Sequence, residues 1–492
     1  MLGALAMALA FPKTNATALA PLGAAALFWA WFGVAPKRAF WIGWLAGLVY
    51  FAINFAWFGE TAGALIAPFG FVLVLGPALI EGLIGFAVTG MLVAYVARGL
   101  RHRERAVRAC VPLAAAAAFA LLEWLRSEGL GEFGLPFASL GYTQVATPLA
   151  PVAAFAGTYG ITFVLCVLGA YAAYALRLHD VRGASVDALV AFGAVAACVV
   201  LAWLAWPART VAAPSLRVAA VQGNIAQSLK FAPGMLAPTV ARYEALTLQA
   251  AATHPALILW PETVIPAATN ASPALQRRFA ALARRTHAEL VIGTLDVEDG
   301  HDYNVLYVYR PGGTLETVYR KRALVPFAEH IPFAPLFAWI PWTSNISHFQ
   351  EGTSDGLFSA VGMRFGPIVC WESAFTKFAG RDAARGADAL LVATDDAWFG
   401  TTAGPYMHAQ IAQMRALETG RWIVRAASTG VSGIVAPDGR YTHASPLGVP
   451  AVVTGAIGEP VATPYPHIGA AATAAVFALL YLALAFRTRH RP

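Results

Sequence analysis

The chain has 492 residues, of which 58% are hydrophobic and 12% are charged, and its mean hydropathy is +0.59. Soluble domains are usually about a quarter charged, so this composition excludes a disordered chain, a fibrous repeat and a wholly soluble enzyme. The formal net charge of +7 would suit a nucleic-acid binder, but the excess lies in and beside apolar segments, where positive charge indicates membrane topology.

Eight apolar segments are candidates for membrane spans, each of which needs about 20 mostly apolar residues. They lie at residues 1–11, 16–36, 39–58, 70–98, 109–125, 151–176, 186–206 and 467–486. The first is short, and Ala18-Leu19-Ala20 after it resembles a signal-peptide cleavage site, although no positive charge precedes the apolar run. We therefore predict a polytopic α-helical membrane domain over residues 1–213 and a last span with a basic tail over 463–492.

Charged residues between these segments predict the orientation of the bundle. Basic residues follow the second, fourth, sixth and last segments: Lys37, Arg38, Arg98–Arg108, Arg177, Arg182 and Arg487–Arg491. The connections near 59–69 and 126–150 carry mainly acids, namely Glu60, Glu128 and Glu132. By the positive-inside rule the basic loops and both termini face the cytoplasm, and seven crossings then place residues 207–466 on the opposite side.

From Ser215 onward, short β-rich runs alternate with helical patterns, which is typical of a layered α/β domain, here residues 214–462. The predicted strands are 216–222, 256–260, 289–295, 304–310, 314–320, 364–370, 389–394, 422–428 and 433–435. The predicted helices are 273–288, capped by Ser272, then 373–385 and 406–419. The prolines of Ile331–Trp342 argue against regular structure there, so we expect an apolar loop that covers a site or touches the bilayer.

Three polar residues stand where predicted strands end: Glu262 after ALILWP, Lys321 after TVYR and Cys370 at the end of RFGPIVC. Loops past strand ends often hold the sites of α/β folds. Cysteine is a nucleophile for acyl transfer, a carboxylate can take its proton, and an ammonium can stabilise an oxyanion. Taken singly, each residue also has a plain structural explanation, as a buried thiol, a solvated turn or a surface charge.

The surrounding motifs are more specific. Glu262 in WPET, Lys321 in YRKRALVPFAEHIP and Cys370 in VCWES resemble the Glu-Lys-Cys triad of the nitrilase, or carbon-nitrogen hydrolase, superfamily. The segments QGNIAQSLKF, LVPFAEHIP, DDAWFGTTAGPYMHAQIAQMRALETGRWIVRAASTG and EWLRSEGLGEFGLPFASLGYTQ resemble one membrane-bound family in it, the apolipoprotein N-acyltransferases. The resemblance implies a nitrilase-like αββα sandwich carried on about eight spans of a bacterial inner membrane, on its periplasmic side.

The resemblance also implies a reaction in two steps. Cys370 attacks the sn-1 ester of a phospholipid, typically phosphatidylethanolamine, and the resulting thioester then acylates the α-amine of an S-diacylglyceryl-cysteine apolipoprotein. Glu262 would be the general base, and Lys321 would stabilise the tetrahedral intermediates together with the backbone N–H that follows Cys370.

Further residues match family positions. Glu329 and Glu372 match additional essential glutamates, and Asn304 matches a polar position, with a structural turn as the alternative. Trp371, Phe137 and Phe231 stand where the family often has Tyr, Trp and Trp. We assign lipid contact to the aromatic residues Phe137, Phe231, Phe333, Phe337 and Trp339.

Other readings remain open. The alternative enzyme is a membrane-tethered nitrilase-like amidase acting on small amides, and a non-catalytic lipid-binding scaffold is a third possibility. His301, His330, His348 and His408 lack close metal-ligand spacing, so we expect no metal and no cofactor. The expected partners are phospholipid and diacylglyceryl apolipoproteins, not nucleic acid, and the expected state is a monomer.

Overall fold

The computed structural model describes residues 1–59, 70–179, 181–206, 213–337, 339, 348–354 and 356–489. The chain divides into two compact units. One consists of Met1–Trp206 with His467–Pro492, and the other of Pro207–Pro466. Glu60, Arg491 and the end of the 331–342 segment lie outside the described residues.

In its described residues the first unit consists of helices joined by turns and loops, without strands. Its α- and π-helices are Leu2–Ala8, Leu19–Trp31, Pro36–Asn54, Gly70–Gly82, Leu83–Val88, Thr89–Val96, Arg105–Arg108, Val111–Trp124, Leu125–Gly129, Ala153–Arg177, Ala184–Ala205 and Tyr465–Arg489. Short 3-10 turns are Leu100–His102, Gly131–Phe133, Leu140–Gln144 and Ala150–Val152.

Five helical stretches in the described part of the chain are long and apolar enough to cross a membrane: Val74–His102, Arg105–Gly129, Ala150–Arg177, Ala184–Ala205 and Tyr465–Thr488. All five coincide with predicted spans, and the chain is a membrane protein. The three predicted spans nearest the N-terminus contain helices of 7, 13 and 19 residues. The count of eight spans therefore stays a prediction.

Close helix packing in this unit depends on small residues. This is usual in membranes, because lipid is as apolar as the side chains and gives helices no hydrophobic driving force to associate. A Cβ added at Gly43 would overlap the carbonyl oxygen of Phe86, and one at Gly47 would lie 2.6 Å from the Cα of Gly82. The helix Pro36–Asn54 can approach its neighbour this closely because neither glycine carries a side chain.

A buried ion cluster holds a polar loop inside the helical unit. Arg126, which is 1% exposed, lies 3.1 Å from Glu81 and 3.8 Å from Glu123. Its guanidinium also donates to the carbonyl oxygens of Leu135, Phe137 and Ala138. These bonds satisfy carbonyl groups that no helix or strand would otherwise pair.

The second unit contains two β-sheets. Its strands are β1 Leu216–Gln222, β2 Leu257–Leu259, β3 Ile265–Ala268, β4 Glu289–Glu298, β5 His301–Tyr309, β6 Leu315–Arg320, β7 Phe358–Ala360, β8 Met363–Val369, β9 Ala389–Thr394, β10 Trp422–Ala427, β11 Gly433–Val435, β12 Tyr441–Ala444 and β13 Ala451–Ile457. Among the described strands the first sheet has the order β13-β1-β2-β4-β5-β6, with β3 beside β4. The second has the order β12-β11-β10-β9-β8-β7.

Helices accompany both sheets. They are Gln227–Lys230, Leu236–Ala251, Pro273–Thr286, Ala334–Phe337, Thr376–Ala384 and Gly404–Thr419, with 3-10 turns at Cys370–Ala374 and Asp396–Phe399. One apolar core joins residues of both sheets, such as Leu306 and Leu391. Separate cores join the first sheet to Phe279 and the second sheet to Ala416, each on a flanking helix. The predicted α/β layering of this unit is confirmed.

Most predicted elements of this unit are present. Strands β1 and β9 have the predicted bounds, and Ser272 caps its helix by accepting a hydrogen bond from Leu275 N at 3.4 Å. β5 and β6 form the predicted antiparallel hairpin around Pro-Gly-Gly, and β10 pairs antiparallel with β11.

Several features differ from the prediction, among them strands β3, β7 and β12 and the short helix Gln227–Lys230, which the sequence patterns did not indicate. The helix Leu236–Ala251 was not predicted, because Thr239, Val240 and Thr247 have low helix propensity. Strand β13 was missed too, although it pairs with β1 along its whole length. The expectation of an irregular loop over 331–342 is wrong at Ala334–Phe337, where one helical turn forms with Pro335 in its first turn, a position that needs no N–H.

Gly293 in β4 gives a test of how the sheet positions the site. A Cβ there would overlap the carbonyl oxygen of Pro261 and come within 2.8 Å of the Cα of Glu262. We expect Gly293→Ala to cost about 2 kcal/mol through overpacking, which lowers the apparent Tm by about 5 °C. The purified protein in detergent is measured by intrinsic-fluorescence melting.

The control is Gly312→Ala, where an added Cβ has no atom within 4 Å. It should melt within about 1 °C of the wild type, since substitutions without a packing cost are near neutral. Equal melting temperatures for both variants would contradict the close approach of Gly293 to Pro261.

Candidate active site

Three side chains predicted to act together follow the ends of three strands. Glu262 follows β2, Lys321 follows β6 directly, and Cys370 follows β8 directly. Glu262 and Lys321 are 5% and 1% exposed, so their charges are removed from water and need internal partners.

Lys321 links two carboxylates. Its Nζ lies 2.9 Å from Glu262 Oε1 and 2.8 Å from Glu329 Oε2. The Glu329 side chain is the more open of the two, at 12% exposed. Glu329 is held by a hydrogen bond of 2.8 Å from Val325 N, four residues before it. The structure thus brings Glu329 to Lys321 across a single loop.

Asn304 joins the same cluster from β5. Its Nδ2 donates to Glu262 Oε1 at 2.7 Å and to Glu329 Oε1 at 2.9 Å, while its Oδ1 accepts from Thr263 Oγ1 at 3.0 Å. Asn304 is 2% exposed and lies within a strand. The alternative reading of Asn304 as a turn residue is therefore wrong, and its amide orients both carboxylates.

Cys370 lies at a strained point of the backbone. Its φ is +48°, a left-handed conformation that is uncommon for residues other than glycine, and it opens the 3-10 turn Cys370–Ala374. Such strain at a strand-to-turn junction is characteristic of functional positions. The Cys370 thiol is close enough to Glu262 and Lys321 for their charges to shift its pKa in opposite directions.

The charges of the site set its resting protonation. Burial raises the pKa of the Cys370 thiol well above its usual value, and the negative charge of Glu262 raises it further, although the Lys321 charge lowers it. Burial also raises the pKa of Glu262, but the charge and hydrogen bond of Lys321, the charge of Lys230 and the Cys370 hydrogen bond leave it below the usual value. The resting site therefore holds a neutral thiol beside an ionised carboxylate.

Lys321 keeps its proton. Burial lowers the pKa of its ammonium, but the charges of Glu262 and Glu329 raise it well above the usual value. Lys321 can therefore supply a permanent positive charge to a developing oxyanion, but it cannot act as a base.

Glu372 connects the Lys321 loop to the Cys370 loop. It is fully buried, and its carboxylate accepts hydrogen bonds from Val369 N at 2.7 Å, Arg322 N at 2.5 Å and Tyr319 Oη at 2.8 Å. These donors belong to residues beside the nucleophile and beside Lys321. Glu372 thus acts as a positioning residue.

The aromatic residues assigned to lipid contact differ in exposure. Phe231, Phe333 and Trp339 are 60%, 64% and 79% exposed. Phe137 is only 1% exposed, and the centre of its ring lies 5.2 Å from that of Trp57. This burial differs from the lipid contact that the sequence led us to expect. The side chain of Phe337 lies outside the described residues. Trp371 is 8% exposed, with its ring 5.7 Å from Phe375.

Two residues of the site were not predicted. Asp395 N donates to Glu262 Oε2 at 3.0 Å, and the Asp395 carboxylate lies 2.5 Å from the Nζ of buried Lys230. Both residues occur in motifs that carried the resemblance, but their pairing joins positions 165 apart in the chain. Parallel β8 and β9 place Asp395 and Cys370 at the same sheet edge.

No group of three His, Cys, Asp or Glu residues suited to a metal ion occurs within the described ranges. The cysteines outside the site, Cys110, Cys166 and Cys198, are free thiols in the helical unit. The described residues of the site offer a thiol, an ionised carboxylate and an ammonium.

The chain is similar to known proteins over both units. Residues 3–171 match the apolipoprotein N-acyltransferase N-terminal domain, and residues 217–465 match the carbon-nitrogen hydrolase family. A protein of Azotobacter vinelandii named apolipoprotein N-acyltransferase is 35% identical over 438 residues, covering 86% of this chain and 81% of its own. A protein of the same name from Pseudomonas putida is 33% identical, covering 89% of this chain and 86% of its own. An amidase structure from Nesterenkonia sp. has 20% identity and a TM-score of 0.40, covering 53% of this chain and 96% of its own.

The pH dependence of Cys370 alkylation tests these charges. The negative charge of Glu262 disfavours the thiolate, so Glu262→Gln should shift the midpoint of alkylation by iodoacetamide to lower pH. The positive charge of Lys321 favours the thiolate, so Lys321→Met should shift the midpoint to higher pH. Peptide mass mapping measures the rate at Cys370 alone.

Cys110, which is partly exposed, lies in the helical unit and directly precedes the helix Val111–Trp124, is the internal control. Its profile should be the same in the wild type and both variants. If the Cys370 midpoint were also unchanged, neither charge would act on the thiol.

Proposed function

Because the chain belongs to the apolipoprotein N-acyltransferase family, we propose that it acylates lipoproteins through a thioester on Cys370. The observation that carries this proposal is the buried ammonium of Lys321 between Glu262 and Glu329, with the charges of Glu262 and Lys321 both acting on the Cys370 thiol. A nucleophile, a base and an oxyanion stabiliser therefore meet within one cluster.

In the first step the Cys370 sulfur attacks the sn-1 ester carbon of a phospholipid, such as phosphatidylethanolamine, while Glu262 takes the thiol proton. Lys321 and the Trp371 backbone N–H stabilise the oxyanion. When the C–O bond breaks, Glu262 returns the proton to the departing glycerol oxygen. The products are a lysophospholipid and an acyl thioester.

In the second step the neutral α-amine of an S-diacylglyceryl-cysteine apolipoprotein attacks the thioester carbon. Glu262 takes a proton from the attacking nitrogen as the C–N bond forms, and the same donors stabilise the second oxyanion. Collapse breaks the C–S bond, and the departing sulfur recovers the proton from Glu262. The enzyme returns to its resting state with an amide as product.

The charge pattern of the sequence supports a finer description of the protein in the membrane. Basic connections such as Arg98–Arg108 would face the cytoplasm of a bacterial inner membrane, together with both termini. Residues 214–462 would then form a periplasmic catalytic domain between the bundle 1–213 and the last span within 463–492. We propose that the enzyme acts there as a monomer, on substrates anchored in the outer leaflet.

Intact-protein mass spectrometry after incubation with phosphatidylethanolamine tests the mechanism. The wild type should gain one acyl mass, and Cys370→Ala should gain none. Glu262→Gln should form the adduct at least about 100-fold more slowly, the usual effect of losing a general base. Lysophospholipid should appear in step with the adduct.

Acylation rates are compared only for variants that melt at the same temperature as the wild type, so that unfolding cannot account for a lower rate. An adduct that persists in Cys370→Ala would remove the cysteine from the mechanism. Turnover of small amides without any lipid adduct would instead support the amidase alternative.

The aromatic side chains of the 331–342 segment should matter for lipid but not for small substrates. We expect the triple variant Phe333→Ala, Phe337→Ala and Trp339→Ala to lose about 100-fold in kcat/KM for phospholipid, at about 1 kcal/mol per ring. Hydrolysis of a short p-nitrophenyl ester should change less than about threefold, because it needs no lipid contact.

A matched control truncates three exposed apolar residues elsewhere, Val297, Leu315 and Val318, which are 36–38% exposed. This variant should keep both activities. Equal losses on phospholipid and ester in the aromatic variant would show that the segment supports the structure of the site and does not contact lipid.

A further inference from the structure

Behind Cys370 lies a chain of buried polar groups that the acyl-transfer steps do not use. Ser373 Oγ donates to the carbonyl oxygen of Cys370 at 2.7 Å and lies 2.8 Å from His408 Nε2. His408 Nδ1 lies 2.9 Å from Asp396 Oδ1, and Asp396 Oδ2 lies 2.8 Å from Arg425. All four of these side chains are at most 1% exposed.

The positions of protons in this chain follow from counting donors. A serine hydroxyl has one proton, and the carbonyl oxygen of Cys370 can only accept, so the Ser373 proton lies on that bond. Ser373 Oγ thus links the Cys370 carbonyl oxygen to His408 Nε2.

The other ring nitrogen is constrained in the same way. Burial raises the pKa of the Asp396 carboxyl, but the charge of Arg425 and the interactions with His408 leave it well below its usual value. An ionised carboxylate can only accept, so His408 Nδ1 donates to it. Asp396 and Arg425 thereby fix the orientation of the His408 ring.

The carbonyl of Cys370 and the N–H of Trp371 belong to one planar peptide group. A hydrogen bond to the carbonyl oxygen fixes the direction of that N–H and increases the dipole of the group. The proposed function uses the Trp371 N–H as a donor to the oxyanion. A hydroxyl donor held on the carbonyl oxygen by His408 would make that N–H a stronger donor.

We propose that His408 and Ser373 are positioning residues that orient and polarise the Cys370–Trp371 peptide group for oxyanion stabilisation. This inference rests on the proposed function, because it assigns a role to groups that act on the acyl-transfer oxyanion. Neither residue touches substrate. Their effect is transmitted through a single hydrogen bond to the Cys370 carbonyl, so it should appear in the rate of acylation and not in lipid affinity.

Two variants separate the hydrogen bond from its support by His408. Ser373→Ala removes the bond to the Cys370 carbonyl, and His408→Gln keeps a polar amide beside Ser373 without the imidazole ring. We expect Ser373→Ala to lower the acylation rate about 10-fold or more, a fraction of the effect of removing a whole oxyanion donor. His408→Gln should fall between Ser373→Ala and the wild type, with KM for phospholipid unchanged in both.

A spectroscopic readout distinguishes polarisation from loss of structure. The acyl-enzyme is formed with phospholipid carrying a 13C-labelled acyl carbonyl, and the thioester carbonyl stretch is measured by infrared difference spectroscopy. A weaker oxyanion donor polarises the thioester less, so the stretch should move to higher wavenumber in Ser373→Ala and by a smaller amount in His408→Gln. The control Ser445→Ala, a buried serine bonded to Ser432 N and Gln222, should leave rate and stretch unchanged.

The outcomes separate this inference from the proposed function. A wild type that forms no acyl-enzyme would overturn the proposed function itself. A wild type that acylates, with Ser373→Ala and His408→Gln showing the same stretch and rate, would overturn the role of the His408–Ser373 chain alone. A loss of rate with an unchanged stretch would also overturn it, since the chain would then support only the fold.

Discussion

The second unit depends on an ammonium buried between two carboxylates. Removing three charged groups from water costs several kcal/mol each unless every one has partners, and here the partners come from separate parts of the chain. Lys321 neutralises Glu262 and Glu329, Asn304 bridges the two carboxylates from β5, and the Asp395 backbone N–H reaches Glu262 from the second sheet. The groups stabilise one another only when all of these segments have assembled, so the site and the fold form together.

This arrangement separates the tasks of catalysis. Burial and the Glu262 charge keep the Cys370 thiol neutral, while Lys321 holds Glu262 ionised and retains its own proton. Proton transfer from sulfur to Glu262 is therefore unfavourable at rest and becomes favourable as the carbon–sulfur bond forms. With the phospholipid donor that we propose, such a thiol would react only with a correctly placed ester.

Both units use buried ion clusters to hold segments that lack regular hydrogen bonding. In the helical unit, Arg126 with Glu81 binds the carbonyl groups of the loop near Phe137. In the second unit, Asp396 with Arg425 holds His408 behind the nucleophile. Truncating one member of such a cluster leaves its partner as a buried charge without compensation. This lowers the free energy of unfolding more than replacing the whole pair with apolar residues does.

The sequence alone determined the elements with strong local signals. The spans from residue 70 onward have long apolar runs, β1 and β9 are continuous apolar strands, and the motifs around Glu262, Lys321 and Cys370 mark strand ends and a family. Local patterns did not determine β13, whose partner lies more than 200 residues away, nor the helix Leu236–Ala251, whose β-branched residues weaken its signal. Only the tertiary structure decided that Asn304 bridges two glutamates, that Lys230 pairs with Asp395 and that Ser373 meets His408. Those contacts join residues distant in sequence, and a local pattern carries no information about which distant polar groups must satisfy each other once water is excluded.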